Sequence, residues 1–423
     1  MRFTAFVFML FVVQAAFTQS FDKYFTDGGM RFDYYRTGND KTEIMSNDEI
    51  YKEPYWGGSH INLIDTFDYG NYKFEVYDSI SGIMIYSRGY SSLFKEWRYT
   101  PEAKILSRSF SETVIFPFPR KTVKLVFYKR NRNQSWEKQY VTYVNPKDYN
   151  IIEQQNMKLR SFKIHGSRSP EKALDIVLLS EGYTATQMQK FMDDANRFKD
   201  YLLKCSPFDE VAGKINIWVV PVESAESGTD LPGKNIWRNT VFDSHFYTFG
   251  TERYLNTTNN KKVRDAAANA PYDQIYILVN TDKYGGAGIY NYYSICTAGN
   301  NYSDFVFTHE FGHAFAALGD EYYTSDVSVQ DFYDLNSEPW EPNLTTLKNF
   351  DKKWKTMVEK GTPVPTPDTG EYKDKVGAFE GAGYVEKGVY RPVYDCSMKS
   401  IKYNNFCPVC TKAFLDMIEF YSN

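Results

Sequence analysis

The sequence predicts a multidomain chain with both α and β structure, in which an N-terminal β-sandwich precedes an α/β domain. Two observations lead to this expectation. Between about residues 21 and 145, short runs of β-branched and aromatic residues alternate with polar turns. From Leu174 onward, apolar runs typical of buried strands alternate with amphipathic helix patterns, which favours a mostly parallel sheet. We place the two domains at residues 21–148 and 149–423, after a leader of residues 1–20.

The leader has the composition of a signal peptide. Met1-Arg2 precedes an apolar run from Phe3 to Phe17, and small residues follow near a plausible cleavage site. We therefore expect a secreted protein, in the periplasm or outside the cell, with the signal peptide cleaved. Because no cysteine lies near this site, we do not expect a lipoprotein, and no later apolar run is long enough to span a membrane. The net charge of -4 gives no sign of the basic surface that binds nucleic acid.

The N-terminal domain is predicted from five strand-like runs, and none of them contains a catalytic cluster. The 35 tyrosines of the chain are compatible with a surface that contacts a glycan or another protein. The five predicted strands are Met30–Tyr35, Tyr72–Tyr77, Gly82–Tyr86, Ser111–Phe116 and Thr122–Tyr128.

The α/β domain is predicted from four apolar runs and four helix patterns. The predicted strands are Leu174–Leu179, Ile215–Val222, Gln274–Asn280 and Ile289–Ile295. The predicted helices are one ending near Cys205, one over Lys261–Asn269, one beginning near Ser303 and a final one over Cys410–Tyr421.

The helix that begins near Ser303 contains the motif His-Glu-x-x-His. His309 and His313 are four residues apart, so on a helix both project from one face, where two imidazoles can bind one Zn²⁺. Glu310 lies beside that pair, in a position suited to a general base rather than a ligand. We expect Ser303-Asp304 to cap the start of this helix and Gly319 to end it in a left-handed turn.

Several motifs resemble the IgA-peptidase family of secreted zinc metallopeptidases. In the second domain these motifs run in the same order as in the family, and the first domain resembles the family's N-terminal β-domain. The resemblance implies a metzincin-like catalytic domain and peptide-bond hydrolysis, but not IgA as the substrate. The motifs are Leu174–Thr184, Ser224–Gly228, Ala270–Ile275, Gly319–Tyr322, Gly388–Pro392 and Cys396–Met398, with Phe74–Asp78 and Ser91–Trp97 in the first domain.

The third zinc ligand is the open question at the end of the motif. Metzincins place it on the sixth residue after the second histidine, and here that residue is Gly319, which has no side chain to offer. Asp320 follows directly and is the ligand we predict. Glu321 and His245 are the alternatives, and Asp320 could also act by orienting a ligand imidazole.

Further site residues are inferred from the downstream motifs. Tyr390 is our candidate for stabilising the transition state, with Arg391 as its alternative. Met398 resembles the methionine turn that lies beneath the zinc of metzincins. The glycine-rich segment Gly285–Tyr293 precedes the metal helix, where an edge strand could pair with an extended substrate.

Three of the five cysteines lie close together near the C-terminus. In an exported protein we expect a disulfide from Cys396 to Cys407 or Cys410. A structural zinc site is the alternative, but it needs a fourth ligand, and none is adjacent in the sequence.

The sequence therefore predicts a secreted zinc endopeptidase that acts on protein or peptide substrates with Glu310 as the general base. Two alternatives remain at this stage. One is a surface protein that binds glycans or proteins and uses zinc structurally, and the other is a zinc amidase that acts on cell-wall peptides. Glu310 argues against a purely structural zinc, because such a site has no use for that carboxylate.

Overall fold

The fold comes from a computed structural model that describes residues 20–154, 159–323, 333–402 and 405–423. Most of the predicted signal peptide, residues 1–19, lies outside this range. Within the described residues, no helix is long and apolar enough to cross a membrane.

The N-terminal region is almost entirely β structure. Three of its strands were not predicted: β2 and β7, whose largely polar sequences lack a clear apolar alternation, and β8, which is only two residues long. Its elements are α1 (Phe21–Tyr24), β1 (Phe25–Gly38), β2 (Glu43–Glu53), β3 (Tyr72–Asp78), β4 (Met84–Tyr90), α2 (Leu93–Trp97), β5 (Arg108–Pro119), β6 (Val123–Arg130), β7 (Trp136–Val144) and β8 (Ile152–Glu153).

These strands form two four-stranded sheets, ordered β5-β1-β2-β8 and β4-β3-β6-β7. Aromatic side chains from the two sheets fill one shared core. The rings of Phe32 and Phe127 lie 5.8 Å apart, and those of Phe74 and Phe116 lie 6.3 Å apart. Burial of such large rings stabilises this region.

The C-terminal region mixes helices with a central sheet. Its elements are β9 (Phe162–His165), β10 (Leu174–Glu181), α3 (Met188–Leu202), α4 (Phe208–Val211), β11 (Ile215–Val220), α5 (Asn260–Ala267), β12 (Gln274–Val279), β13 (Gly286–Ile289), β14 (Tyr293–Thr297), α6 (Ser303–Ala316), β15 (Phe379–Ala382), β16 (Val385–Arg391) and α7 (Pro408–Ser422).

The central sheet has the strand order β13-β14-β12-β10-β11-β9. Strands β14, β12, β10 and β11 are parallel, while β13 and β9 run antiparallel at the two edges. The prediction of a multidomain chain with mixed α and β structure is confirmed. The predicted single strand Ile289–Ile295 is wrong, because a turn at Asn291 with φ of 50° divides it between β13 and β14.

Helix α6 carries the His-Glu-x-x-His motif and lies against β13 and β14. Its apolar residues Phe311 and Phe315 pack on Phe414 of α7, which fixes the helix in the core. The predicted helix end is wrong. Ala317, and not Gly319, takes the left-handed conformation with φ of 59°, and Leu318 donates its N–H to the Gly312 carbonyl.

Candidate metal centre

Three side chains converge at the end of α6. The Nε2 atoms of His309 and His313 lie 3.2 Å apart. The Oδ1 atom of Asp320 lies 3.2 Å from the Nε2 of His309 and 3.4 Å from that of His313. The three atoms thus form a nearly equilateral triangle.

Backbone carbonyls orient both imidazoles. The Nδ1 atom of His309 lies 2.9 Å from the Ser397 carbonyl oxygen, and that of His313 lies 2.6 Å from the Leu318 carbonyl oxygen. A carbonyl only accepts hydrogen bonds, so each Nδ1 must carry the proton. In the neutral rings, the Nε2 lone pairs are therefore free to face the centre of the triangle.

The chain after α6 turns sharply so that Asp320 returns to the histidines. Asn343 holds this turn by accepting from the Gly319 N–H and donating to the Gly319 carbonyl, both at 2.8 Å. A Cβ at Gly319 would lie 2.5 Å from Leu344 Cδ1, so the glycine permits the close packing. The Tyr384 hydroxyl donates a hydrogen bond to Oδ2 of Asp320, and the other oxygen, Oδ1, faces the histidines.

The electrostatics of the cluster favour a cation at its centre. Burial alone would lower the pKa of His313, but Asp320 raises that pKa to about 9. Burial opposes ionisation of Asp320 as well, yet the two histidines hold the pKa of this carboxyl well below its usual range. A metal ion would take the place of the protons that this arrangement attracts.

The residues fit a zinc ion. For bonds of roughly 2.0–2.1 Å, the edge of a coordination tetrahedron is about 3.3–3.4 Å, which matches the triangle. Asp320 Oδ1 is buried and accepts no hydrogen bond from the described residues. Two imidazole nitrogens and one carboxylate oxygen form a set of three protein ligands that leaves one position open.

Glu310 lies beside this triangle on the wall of a cleft of about 1280 Å³. Burial raises the pKa of its carboxyl group. The N-terminal region also contributes to this cleft through Glu96, whose carboxylate accepts a hydrogen bond from Tyr254. Neither Glu96 nor Tyr384 was singled out from the sequence as a site residue, because the Ser91–Trp97 motif that contains Glu96 gave no sign of chemistry and no motif contains Tyr384.

The structure does not bring Tyr390 to the cluster. Its hydroxyl lies 3.4 Å from Glu380, and neither residue lines the cleft in the part of the chain that the structure describes. Arg391 donates to the carbonyl oxygens of Glu380 and Gly381 and so braces the β15–β16 hairpin. The turn of this hairpin, with Tyr384, is what reaches the cluster.

The other sequence candidates occupy distinct positions. Met398 is fully buried below α6, where its Sδ would lie 2.9 Å from a Cβ at Gly312. His245 hydrogen-bonds the Phe246 carbonyl and does not line the cleft. Glu321 faces away from the triangle, toward the C-terminal cysteines.

The predicted disulfide from Cys396 to Cys407 or Cys410 is not formed. The Sγ atoms of Cys396 and Cys410 lie 4.0 Å apart, about twice the length of an S–S bond. Glu321, which is distant in the sequence, lies in the same group as these cysteines.

Family models match most of the chain. The family described as IgA Peptidase M64 matches residues 162–373 and 368–418, and its N-terminal domain, described as Peptidase M64 N-terminus, matches residues 20–141. No curated protein matches the chain. The His-Glu-x-x-His helix and these matches define a metallopeptidase. The chain belongs to the IgA peptidase M64 family, as its sequence motifs predicted.

Proposed function

We propose that this protein is a secreted, zinc-dependent endopeptidase with a metzincin-like catalytic domain and an N-terminal β-sandwich. The observation that carries the proposal is the triangle of His309, His313 and Asp320, whose dimensions suit tetrahedral zinc and which borders an open cleft. Asp320 is the proposed third ligand, in preference to Glu321 and His245.

The chain's own residues supply the remaining chemistry. Zinc, when bound, would polarise the scissile carbonyl and acidify a water molecule. Glu310 takes the proton of the attacking water and passes it to the leaving amine, for which its raised pKa is favourable. Tyr384 holds Asp320 in its orientation through the hydrogen bond to Oδ2. We assign this positioning role to Tyr384, and we no longer favour Tyr390 as a group at the reacting atoms.

The cleft favours an extended peptide over a small molecule. Its volume exceeds the roughly 300–1,000 Å³ that is usual for small-molecule sites. Strand β13 lies at the edge of the central sheet and lines the cleft beside Glu310. An isolated β-bridge already joins Tyr254 to Gly286. We therefore infer that a substrate strand pairs with the part of β13 that follows Gly286.

A library of peptides with acetylated N-termini and amidated C-termini would test this function. We expect cleavage by the zinc-loaded protein, loss of cleavage after chelation and recovery when zinc is restored. Blocked termini exclude exopeptidases, so internal cuts would identify an endopeptidase. A protein that contains zinc in the His309–His313 site but cuts no peptide would contradict the proposal.

Export is a separate part of the proposal. It is supported by the signal-like leader and by the start of the family match at residue 20. N-terminal sequencing of the protein recovered outside the cytoplasm should find a new terminus near Phe21. The glycan contact suggested for the N-terminal domain gains no support from the family, and we do not propose it.

A further inference from the structure

A second cluster of metal-ligand side chains lies behind the catalytic cluster, away from the cleft. Its four members are all buried, and their potential ligand atoms lie within 4.8 Å of one another. None of them lines the cleft. The cluster consists of Glu321, Cys396, Cys407 and Cys410.

The spacing of these atoms suits a tetrahedral metal ion. For Zn–S bonds of roughly 2.3 Å, two sulfur ligands should lie about 3.8 Å apart. The Sγ atoms of Cys396 and Cys410 are 4.0 Å apart, and Cys410 Sγ is 3.2 Å from Glu321 Oε1. The distance between the two sulfur atoms is too long for a disulfide. Both distances are close to those between two ligands of one metal ion.

Backbone hydrogen bonds point at the sulfur atoms. The Cys407 N–H donates to Cys396 Sγ at 3.3 Å, and the Cys410 N–H donates to Cys407 Sγ at 3.5 Å. Cys407 also caps the N-terminus of α7, with Pro408 as the first helical residue. Such donors, together with the positive end of a helix, stabilise thiolate, which is the form that binds metal.

Glu321 supplies an independent indication of a ligand. Its side chain is 0% exposed, and its Oε2 atom has no hydrogen-bond partner among the described residues. Oε1 accepts from Asn343 Nδ2 at 2.9 Å. Because an unpartnered buried carboxylate oxygen is costly, this atom calls for a cation.

We propose that Glu321, Cys396, Cys407 and Cys410 form a second, structural zinc site. Thiolates select a soft ion such as zinc, and four protein ligands leave no position for water or substrate. Three thiolates and one carboxylate around Zn²⁺ carry the same net charge as a four-cysteine zinc site. The inference does not depend on peptidase activity.

The position of this site gives it a role in building the catalytic cluster. Glu321 directly follows Asp320, and its N–H donates to the Met398 carbonyl at 2.8 Å. Ser397, next to Cys396, accepts from His309. A metal ion here would join the segment of the third catalytic ligand, the segment that orients His309, and helix α7.

Metal counting on the full chain tests the proposal. We expect two zinc ions per chain in the natural protein, one after His309→Ala combined with His313→Ala, and one after Cys407→Ser. Cys205→Ser, which alters a buried cysteine outside the cluster, should keep two. A single zinc per chain that is lost in the histidine variant and kept in Cys407→Ser would overturn the proposal.

Cobalt substitution locates the second ion. The thiolate-to-cobalt absorption in the near ultraviolet should persist in the histidine variant and disappear in Cys407→Ser. Thiol labelling of the natural protein keeps the test valid if Cys407→Ser does not fold. Iodoacetamide should modify Cys396, Cys407 and Cys410 only after chelation. Equal labelling before and after chelation, or a disulfide among these three in freshly purified protein, would refute the site.

Discussion

The two clusters stand on either side of the peptide bond between Asp320 and Glu321. Asp320 faces two histidines at the edge of a wide cleft, with Glu310, the proposed general base, beside them. Glu321 faces three cysteines that are sealed in the core. Three ligands beside an open cleft suit a catalytic metal site, whereas four buried ligands suit a structural metal site. The two adjacent carboxylates thus have different proposed roles, because the chain directs them to different surroundings.

The substitution with the largest expected effect should separate the chemical step from metal binding. We expect Glu310→Gln to lower kcat by about 10²–10⁴-fold, because the amide cannot accept the proton of the attacking water. Zinc content should remain unchanged, since Glu310 is not a ligand. Peptide cleavage and metal analysis measure both effects. The control is Glu359→Gln, which alters an exposed residue paired with Lys375 and should behave as the natural protein. If the kcat of Glu310→Gln stays within tenfold of that of the natural protein, Glu310 is not the general base.

Chelation should distinguish the open site from the closed one. We expect one equivalent of zinc to leave first, together with activity, because the His309–His313 site borders the cleft. The second equivalent should leave only as the chain unfolds, since its ligands are buried. Zinc content, cleavage rate and circular dichroism followed in parallel would show the order. Simultaneous release of both ions from a folded chain would contradict the assignment of one site as open and the other as closed.

Tyr384→Phe should weaken the open site without removing a ligand. Loss of the hydrogen bond to Asp320 Oδ2 is expected to lower zinc affinity by roughly 10–100-fold. Competition with a chelator of known affinity measures this change. Tyr390→Phe is the matched control, because that tyrosine does not line the cleft. If both substitutions lower the affinity equally, Tyr384 has no special role in positioning Asp320.

The smallest effect concerns the packing between the two clusters. Gly312→Ala would bring a methyl group against Met398 Sδ, and we expect a loss of about 1–3 kcal/mol in the free energy of unfolding. Gly213→Ala is the control, because a Cβ there meets no atom within 4 Å. Thermal unfolding of the zinc-loaded variants compares them. An equal midpoint for both variants would show that the contact beneath α6 is not tightly packed.

Local patterns predicted much of the α/β domain, because its buried strands and amphipathic helices produce strong signals over a few residues. Strands β10, β11 and β12 and helices α3, α5 and α7 lie close to their predicted positions. Strands β2 and β7 were missed, because their pairing partners, and not their own polar sequences, place them in sheets. The end of α6 was misplaced for a related reason. Gly319 is needed for close packing on Leu344, and Ala317 bears the left-handed turn.

The sequence alone predicted the pair of histidines and the neighbouring glutamate, because four-residue spacing on one helix fixes their geometry locally. It also predicted the family, through motifs distributed along the chain. The packing of distant segments places Asp320, and not Glu321, against the histidines, brings Tyr384 to Asp320 and places Glu321 beside three distant cysteines. Those contacts depend on how the turn after α6, the β15–β16 hairpin and α7 pack together, and no local sequence pattern encodes that packing.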